Sequence, residues 1–473
     1  MSSVDVFDVG RFTFGLPSVE SHVHRNLKVP ETISAQQRLS RKWEARRELL
    51  HAATRMPPEV TRARQLERVS ALVDHAFATH PFYHRIYRDA GFRKGDIVSW
   101  ADYRALPTVT KQDVIAHAEE FERANIAPAI SECYRSTTSG SSGQVLTAAF
   151  DSAGVDEDML LCLRFYEQML GRRRQPSEWM YLVYLACPPF TSLDGSYPTF
   201  TISNECSPAD VVEHLRRLRP ALLSGMPSYL ERLADLVDDP RELGLRAINT
   251  NSEASTVAQR RRIAERLGAP VFDEYSSVEL ALIATQCSEG RYHLVEDGVR
   301  VDVLNDDGAA AGEIVATSLF NTFMPFIRYR QGDVIQIDES STRCACGSSF
   351  RYLASFQGRT DQVLMSKVIG RVPPDQVMAL YDRTFLTGGA NVAEFQIVQR
   401  ELDRIQLILV PADRSRPANP SMVEAFTSGL RDLFFDRELA VVVEQRDVMP
   451  EEKSYKRRLI KCELGESRRE VER

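Results

Sequence analysis

A chain of 473 residues is too long for one core, so two or more domains are expected. Hydrophobic residues make up 43% and charged residues 26%, as in ordinary globular proteins and unlike disordered ones. The net charge of -7 is spread without long like-charge blocks, which argues against nucleic-acid binding and favours work on small molecules. No apolar run reaches the ~18 residues of a transmembrane helix, so no membrane partner is expected. Met1 to Arg11 carries Asp5 and Asp8 and no apolar h-region, which is not a secretory signal. Eight cysteines in so long a chain do not make a disulfide framework, and a reducing cytoplasm is the expected compartment.

Residues 1–60 are polar, Arg-rich and weakly periodic, and read as a peripheral extension. From Thr61, Leu66, Val69, Leu72, Val73 and Phe77 recur at helical spacing, and Pro81 ends that helix. His80 and His84 lie four apart, but no third ligand is near, so both are read as packing or surface histidines. Residues 136–143 are Ser, Thr and Gly throughout. Such a run cannot sit in a core, where its hydroxyls and amides would lack partners. It is either a solvated linker or a loop wrapping an anion, and its ordered-looking flanks favour the loop. Gly140 and Gly143 let successive N–H groups point inward toward a phosphate. A Walker loop is excluded, because Gln144 and Val145 follow the last glycine in place of Lys and Ser/Thr.

Strands and helices then alternate. Residues 180–186 form an apolar run that reads as a buried strand. Ser207-Pro208-Ala209-Asp210 starts a helix that Pro220 ends. Strands are expected at 221–225, 245–249 and from Val271, with helices over 227–236 and 255–267. This order implies parallel βαβ units with helices on both faces, and ligands bind at the carboxyl ends of such strands. Two of those ends carry polar residues, expected on strand-to-helix loops. One is Asn249-Thr250-Asn251-Ser252-Glu253-Ala254; the other is Asp273-Glu274-Tyr275-Ser276-Ser277-Val278-Glu279. Helix capping would explain Ser255 and the Ser276-Ser277 pair. A nucleotide crevice would use Tyr275 to stack on a purine and Glu279 to hold Mg²⁺.

Residues 313–317 and 333–338 look like strands, and Asp333 just past Gly332 is a ribose ligand or a turn-former. After Gly358-Arg359-Thr360-Asp361-Gln362 the composition changes. Strands over 394–399, 404–410 and 439–444 with a helix over 421–435 make a small α+β domain of ordinary size. The fold class expected is α/β: a large N-terminal domain over 1–357, with mixed and parallel sheets covered by helices, and a small α+β C-terminal domain over 358–473 joined by a hinge.

The order of these motifs resembles that of the adenylate-forming superfamily of acyl- and aryl-CoA synthetases, and within it the phenylacetate–CoA ligase-like branch. The branch traits are Pro81-Phe82-Tyr83, Leu106-Pro107 with Lys111, Met226-Pro227-Ser228, Phe326-Ile327-Arg328-Tyr329-Arg330 with Gly332-Asp333, and Cys344-Ala345-Cys346-Gly347. The resemblance implies that Thr138, Ser139, Gly140, Ser141, Ser142 and Gly143 cradle the ATP phosphates. It implies that Tyr275 stacks on adenine, with Glu253 and Ser276 among the nucleotide-binding residues, and that Glu279 ligates Mg²⁺. Asp333 would grip the ribose hydroxyls beside Arg359, and Asp361 would be the hinge about which the small domain swings. Lys456 would reach the carboxylate and α-phosphate, with Lys453 a lesser candidate. The departures are Gln144 for Lys, Val145 for Pro, Ser276 for Gly, Val278 for Thr or Ser, and Gln362 for a second Asp; they put turnover in doubt.

A second site is read from spacing. Cys287 and His293 form C-x5-H, and Cys344-Ala345-Cys346-Gly347 follows. Three thiolates and one imidazole suit a closed structural zinc site, against the alternative of buried thiols beside an unrelated His. Cys133, Cys162, Cys187, Cys206 and Cys462 read as scattered thiols.

The resemblance therefore implies an ATP- and Mg²⁺-dependent ligase that converts an acid, expected to be aromatic, to an acyl-adenylate and passes it to CoA. The acid is expected beside the Tyr275 strand, against residues 161–166 and 184–190. Two rivals stay open: an amine or carrier-protein thiol as acceptor, and a scaffold that keeps the fold without turnover. A homodimer also stays open.

Overall fold

The computed structural model describes residues 33–121, 134–138, 145–175, 178–184, 190–191, 199–204, 206–305, 311–340, 343–359, 362–386, 389–450 and 458–464. The chain opens with helix α1 (Ile33–Ala53), inside the stretch read as weakly periodic, and continues with α2 (Pro58–Thr79). Pro81 ends α2 as expected but also starts α3 (Pro81–Asp89), because a proline lacking its N–H fits the first turn. His80 Nε2 donates to the Phe323 carbonyl (3.0 Å), and the exposed His84 ring stacks on Phe77, so they are a packing and a surface histidine. Short helices α4 (Trp100–Ala105), α5 (Lys111–Ala116) and α6 (Ala118–Phe121) follow, with strand β1 (Val109–Thr110) before α5.

Strands β2 (Tyr134–Thr137) and β3 (Thr147–Phe150) pair as a hairpin around the Ser/Gly run. Helix α7 (Ser152–Leu170) starts on an Asp151 cap, whose carboxylate accepts the Gly154 amide, and ends on Gly171 in the left-handed region. Then come β4 (Met180–Tyr184), β5 (Phe190–Thr191), β6 (Thr199–Ser203), α8 (Pro208–Leu218), β7 (Leu222–Gly225), α9 (Pro227–Ala234), β8 (Ala247–Thr250), α10 (Val257–Leu267) and β9 (Val271–Ser277). Strands β6, β4, β7, β8 and β9 are mutually parallel in that spatial order, which is the βαβ block expected. The cap of α10 is Thr256 and not Ser255, since the Thr256 hydroxyl is the one that reaches the Gln259 amide.

Beyond β9 the sheet turns antiparallel. Strands β10 (Ala281–Gln286), β11 (Tyr292–Leu294), β12 (Val299–Leu304), β13 (Gly312–Ser318), β14 (Tyr329–Asp338) and β15 (Tyr352–Arg359) extend it to 13 strands among the described residues, with β1 parallel to β14 at its side. Two apolar cores flank the parallel block. Met180, Leu182, Leu222 and Ala247 face α7, while Tyr181, Val183, Leu223 and Ile248 face α8, α9 and α10. The alternation is the period of two that a strand buried on both faces requires. No helix among the described residues is long and apolar enough to cross a membrane.

The C-terminal region has its own core. After the small β16 (Leu364–Ser366) and β17 (Gly370–Val372) hairpin and α11 (Pro374–Phe385) come β18 (Glu394–Glu401), β19 (Arg404–Val410), α12 (Pro420–Phe434), β20 (Ala440–Gln445) and β21 (Ile460–Cys462). They form a four-stranded sheet in the order β20-β19-β18-β21. Ile405, Leu407 and Leu409 share the face covered by α11 and α12, as their spacing implies, and Tyr381 stacks on Phe395 at 3.9 Å between ring centres.

Helix α1 is held on α7 by charge. Arg38 and Lys42 meet the buried Asp156, Arg46 meets Glu157, and Arg47 and His51 meet Glu167 at 2.7 and 3.0 Å. Burial alone would raise the Glu167 carboxyl. Hydrogen bonds from His51, the Arg174 amide and Arg47 outweigh it and hold the group below the usual carboxylate range. A depressed carboxyl stabilises the fold above its unfolded pKa, and that contribution is lost as pH falls through the folded value. Glu167→Gln should therefore lower stability by about 2 kcal/mol at pH 7. In thermal unfolding the gap from the parent chain should close as the pH drops below ~4.

Candidate functional site

Strand β9 runs on through Ser277, so Asp273 to Ser277 are strand residues and not a loop. No helix follows: the Ser277 hydroxyl accepts the Leu280 amide at 3.1 Å, closing a turn into antiparallel β10. Asp333 likewise lies inside β14 and not just beyond a turn. Gly332, at φ +85°, supplies a left-handed residue within the strand, and Asp333 pairs with Arg359 of β15. These two shifts bring the expected residues together. The Tyr275 hydroxyl donates to Asp333 Oδ2 at 2.5 Å, and Gln331 Nε2 donates to that oxygen at 2.8 Å and to the Tyr275 hydroxyl at 3.0 Å. Ser277 Oγ donates to Gln331 Oε1 at 3.1 Å, and Arg359 Nη1 stands 4.0 Å from Asp333 Oδ1. Burial first, then the Asp333 charge, raises the Tyr275 phenol well above its ordinary range, so it stays a donor. The Phe356 ring meets Tyr275 edge-on at 4.9 Å.

Glu279 is 6% exposed and accepts from the Tyr329 hydroxyl at 2.9 Å. Burial, then Glu279 itself, pushes the Tyr329 phenol up, which keeps its proton on that bond. The parallel pairing of Val109 with Tyr329 and Thr110 with Arg330 sets Lys111 beside the same strand. Lys111 Nζ donates to Thr138 Oγ1 at 3.3 Å, and that hydroxyl also accepts the Leu146 amide at 2.9 Å. The Thr138 amide returns a bond to the Leu146 carbonyl at 2.8 Å. The Ser/Gly run thus leaves a clamped neck tied to the Glu279 neighbourhood. Ser139, Gly140, Ser141, Ser142, Gly143, Asp361, Lys453 and Lys456 lie outside the described residues.

Two expected residues sit apart from this network. Glu253 accepts the Ser228 hydroxyl at 2.6 Å at the start of α9. Ser276 turns to the opposite face of β9 and donates to Glu274 at 3.2 Å, as the strand's period of two requires. Conversely, Lys111, Tyr329 and Gln331 were missed as site residues. The signal for the last two was present: Tyr329, Gln331 and Asp333 are spaced i, i+2, i+4, which is one strand face once the stretch is read as strand.

The second site is assembled as the spacing implies. The ligand atoms of Cys287, His293, Cys344 and Cys346 all lie within 4.8 Å of one another. Cys287 and Cys344 sulfurs are 3.9 Å apart and Cys346 Sγ is 3.4 Å from His293 Nε2, so contact is close without a disulfide. Burial lowers the His293 pKa, and its Nδ1 sits 2.8 Å from the Phe350 carbonyl, the outer-shell bond that leaves Nε2 free to ligate. The Ser348 amide donates to Cys346 Sγ at 3.4 Å, and Gly347 at φ +89° shapes that turn. Four such donors fit a tetrahedral ion.

Comparisons with known proteins find similar chains. A phenylacetate-coenzyme A ligase of Pseudomonas putida is 25% identical over 354 residues, covering 70% of this chain and 77% of that protein. One of Thermus thermophilus is 25% identical over 381 residues, covering 74% and 82%. Over about 70% of its length the chain is similar to phenylacetate-coenzyme A ligases. The fold of this ligase-like chain is also that of a 2-hydroxyisobutyryl-CoA ligase solved in the postadenylation state with an acyl-AMP, at TM-score 0.68 and 21% identity over 89% of this chain and 93% of that one. No family model matches the chain.

Removing the Tyr329 hydroxyl would strip the buried Glu279 carboxylate of a donor. Tyr329→Phe should cost about 1–3 kcal/mol, read as a lower urea midpoint, and the loss should be smaller in a Glu279→Gln background if the two groups act as a pair.

Proposed function

We propose that the chain is an ATP-dependent acid–CoA ligase. A carboxylate oxygen attacks the α-phosphorus of ATP, the bond to the bridging oxygen breaks, and pyrophosphate leaves. The CoA sulfur then attacks the acyl carbon of the acyl-adenylate and AMP departs. The observation that carries this reading is the convergence of Tyr275, Gln331, Asp333 and Arg359 with Glu279 and Tyr329, at the carboxyl end of a parallel strand.

Each residue has a physical task in this reading. Tyr275 presents its ring to adenine while its hydroxyl holds Asp333 in place. Asp333 Oδ1, on the Arg359 side, accepts a ribose hydroxyl. Glu279, fixed by Tyr329, is the residue that would hold Mg²⁺, which neutralises phosphate charge when bound. Thr138 to Gly143 wraps the phosphates, and Lys111 adds an ammonium at the neck of that loop. Lys456 stabilises charge building on the attacking carboxylate and on phosphorus. Residues 358–473 form the mobile small domain, with Asp361 as hinge; the separate core around Phe395, Phe426 and Leu430 supports that division. Cys287, His293, Cys344 and Cys346 hold a structural zinc ion.

Acid-dependent exchange of pyrophosphate into ATP tests the first half-reaction. Exchange should appear with an accepted acid and fall about 100-fold or more in Lys456→Ala and Glu279→Ala; no exchange across a broad panel of acids would sink the assignment. With one good acid, varying the acceptor among CoA, amines and a carrier thiol then identifies the second step. Metal analysis should find about one zinc per chain, lost in Cys344→Ser; unchanged metal content in a folded Cys344→Ser protein would remove the zinc site.

A further inference from the structure

The face of the parallel block that looks toward α7 changes character along its strands. In β7 it reads Leu222 then Ser224, in β8 Ala247 then Asn249, and in β9 Phe272 then Glu274. Register places these pairs side by side: Ser224 against Asn249, and Asn249 against Phe272. The apolar members lie toward the amino ends and join the α7 core; the polar members lie toward the carboxyl ends, where parallel sheets bind ligands. Ser224, Asn249 and Glu274 are 1%, 0% and 5% exposed. Buried polar groups of this kind persist when they are hydrogen-bonded.

Their bonds are directional. Asn249 Nδ2 donates to Ser224 Oγ at 3.1 Å and to Glu274 Oε2 at 2.8 Å, and Asn251 Nδ2 donates to Ser224 Oγ at 2.9 Å. Glu274 Oε1 accepts from Ser276 at 3.2 Å. The carboxylate fixes the Asn249 amide, since the flipped amide would set oxygen against oxygen. Asn249 Oδ1 is then a fully buried acceptor that receives no donor among the described residues. Beside it stands the Glu274 carboxylate, which accepts from Asn249 and Ser276. On a face built from acceptors, the missing partner is a donor supplied by a ligand.

We propose that this face binds the remote end of the substrate acid, and that this end carries a hydrogen-bond donor, an amino or hydroxyl group, received by Asn249 Oδ1 and the Glu274 carboxylate. The inference rests on the adenylate-forming reading and names its substrate class. The geometry suits it: Tyr275 and Glu274 are neighbours on β9 and point to opposite faces, so nucleotide and acyl group lie on either side of one strand, ~3.3 Å apart along it. A plain hydrocarbon tail would bury Asn249 Oδ1 with nothing to satisfy it.

Pyrophosphate exchange on the full-length wild-type chain tests this without any variant. The probes are benzoate and phenylacetate, each beside its amino and hydroxy derivatives at every ring position. At least one donor-bearing acid should exceed its unsubstituted parent in kcat/KM by about 100-fold or more. In Asn249→Leu that preference should collapse toward parity, and in Glu274→Gln the amine should lose ground to the hydroxyl, with cooperative thermal unfolding of each variant checking that it is folded. Unsubstituted acids equal to or better than every donor-bearing one would overturn the inference while leaving the ligase assignment intact. Absence of exchange with all acids would overturn both.

Discussion

Strand β14 hydrogen-bonds three others: β13 and β15 at its sides and, along Tyr329 and Arg330, the short parallel β1. Its alternation points Tyr329, Gln331 and Asp333 to one side, and each of the three reaches a residue of the β9 segment or the turn after it. Tyr329 takes Glu279, Gln331 takes Ser277, and Asp333 takes Tyr275. A slip of one residue in this register would turn the whole set away. The same pairing sets Lys111 within reach of Thr138, so one ladder locates the carboxylates, the aromatic ring and the entrance of the Ser/Gly loop. The +85° φ of Gly332 belongs to this constraint, because a side chain at that residue would be strained in the conformation that aims Asp333.

What the sequence made legible follows from which signals are local. The parallel block was readable because each strand is a short apolar run bounded by Pro, Gly or a helix cap, as at Ser207-Pro208, Gly225 and Gly268. The C-terminal unit was readable because Ile405, Leu407 and Leu409 alternate cleanly. Tyr275, Asp333, Glu279 and Arg359 came from motif order, yet their setting did not. Polar residues such as Gln331, Gly332 and Ser276 look like loop by composition, and only non-local pairing makes them strand. Helix α1 was missed for a related reason. It buries only Leu39, Trp43 and Leu50 among many charges, and Arg38, Lys42 and Arg46 find their carboxylate partners 111 or more residues away, a pairing that local periodicity does not reveal.

The Cys/His cluster sits on two connections of the same sheet. Cys287 and His293 flank the turn joining β10 to β11, and Cys344 and Cys346 lie on the connection between β14 and β15. In the sheet those strands run in the order β14-β15-β11-β10-β9. The zinc ion proposed there would tie the two connections together and constrain the strands that carry Asp333 and Arg359 relative to the one that carries Tyr275.

The departures from the superfamily's usual residues look different once their neighbours are known. Val278 lacks the hydroxyl usual at its position, but it packs against the main core, and Glu279 next to it is buried and held by Tyr329. Ser276, where Gly is usual, has room for its side chain because it points to the Glu274 face, and there it supplies a donor to that carboxylate. An unusual residue on one face of β9 is therefore coupled to the unusual polarity of the face that α7 covers. Glycine at that position could not donate, and Glu274 would be buried with one neutral partner fewer. Ser276 on β9 and Val278 in the turn after it are thus both accounted for by their neighbours, the one by the Glu274 carboxylate and the other by the main core.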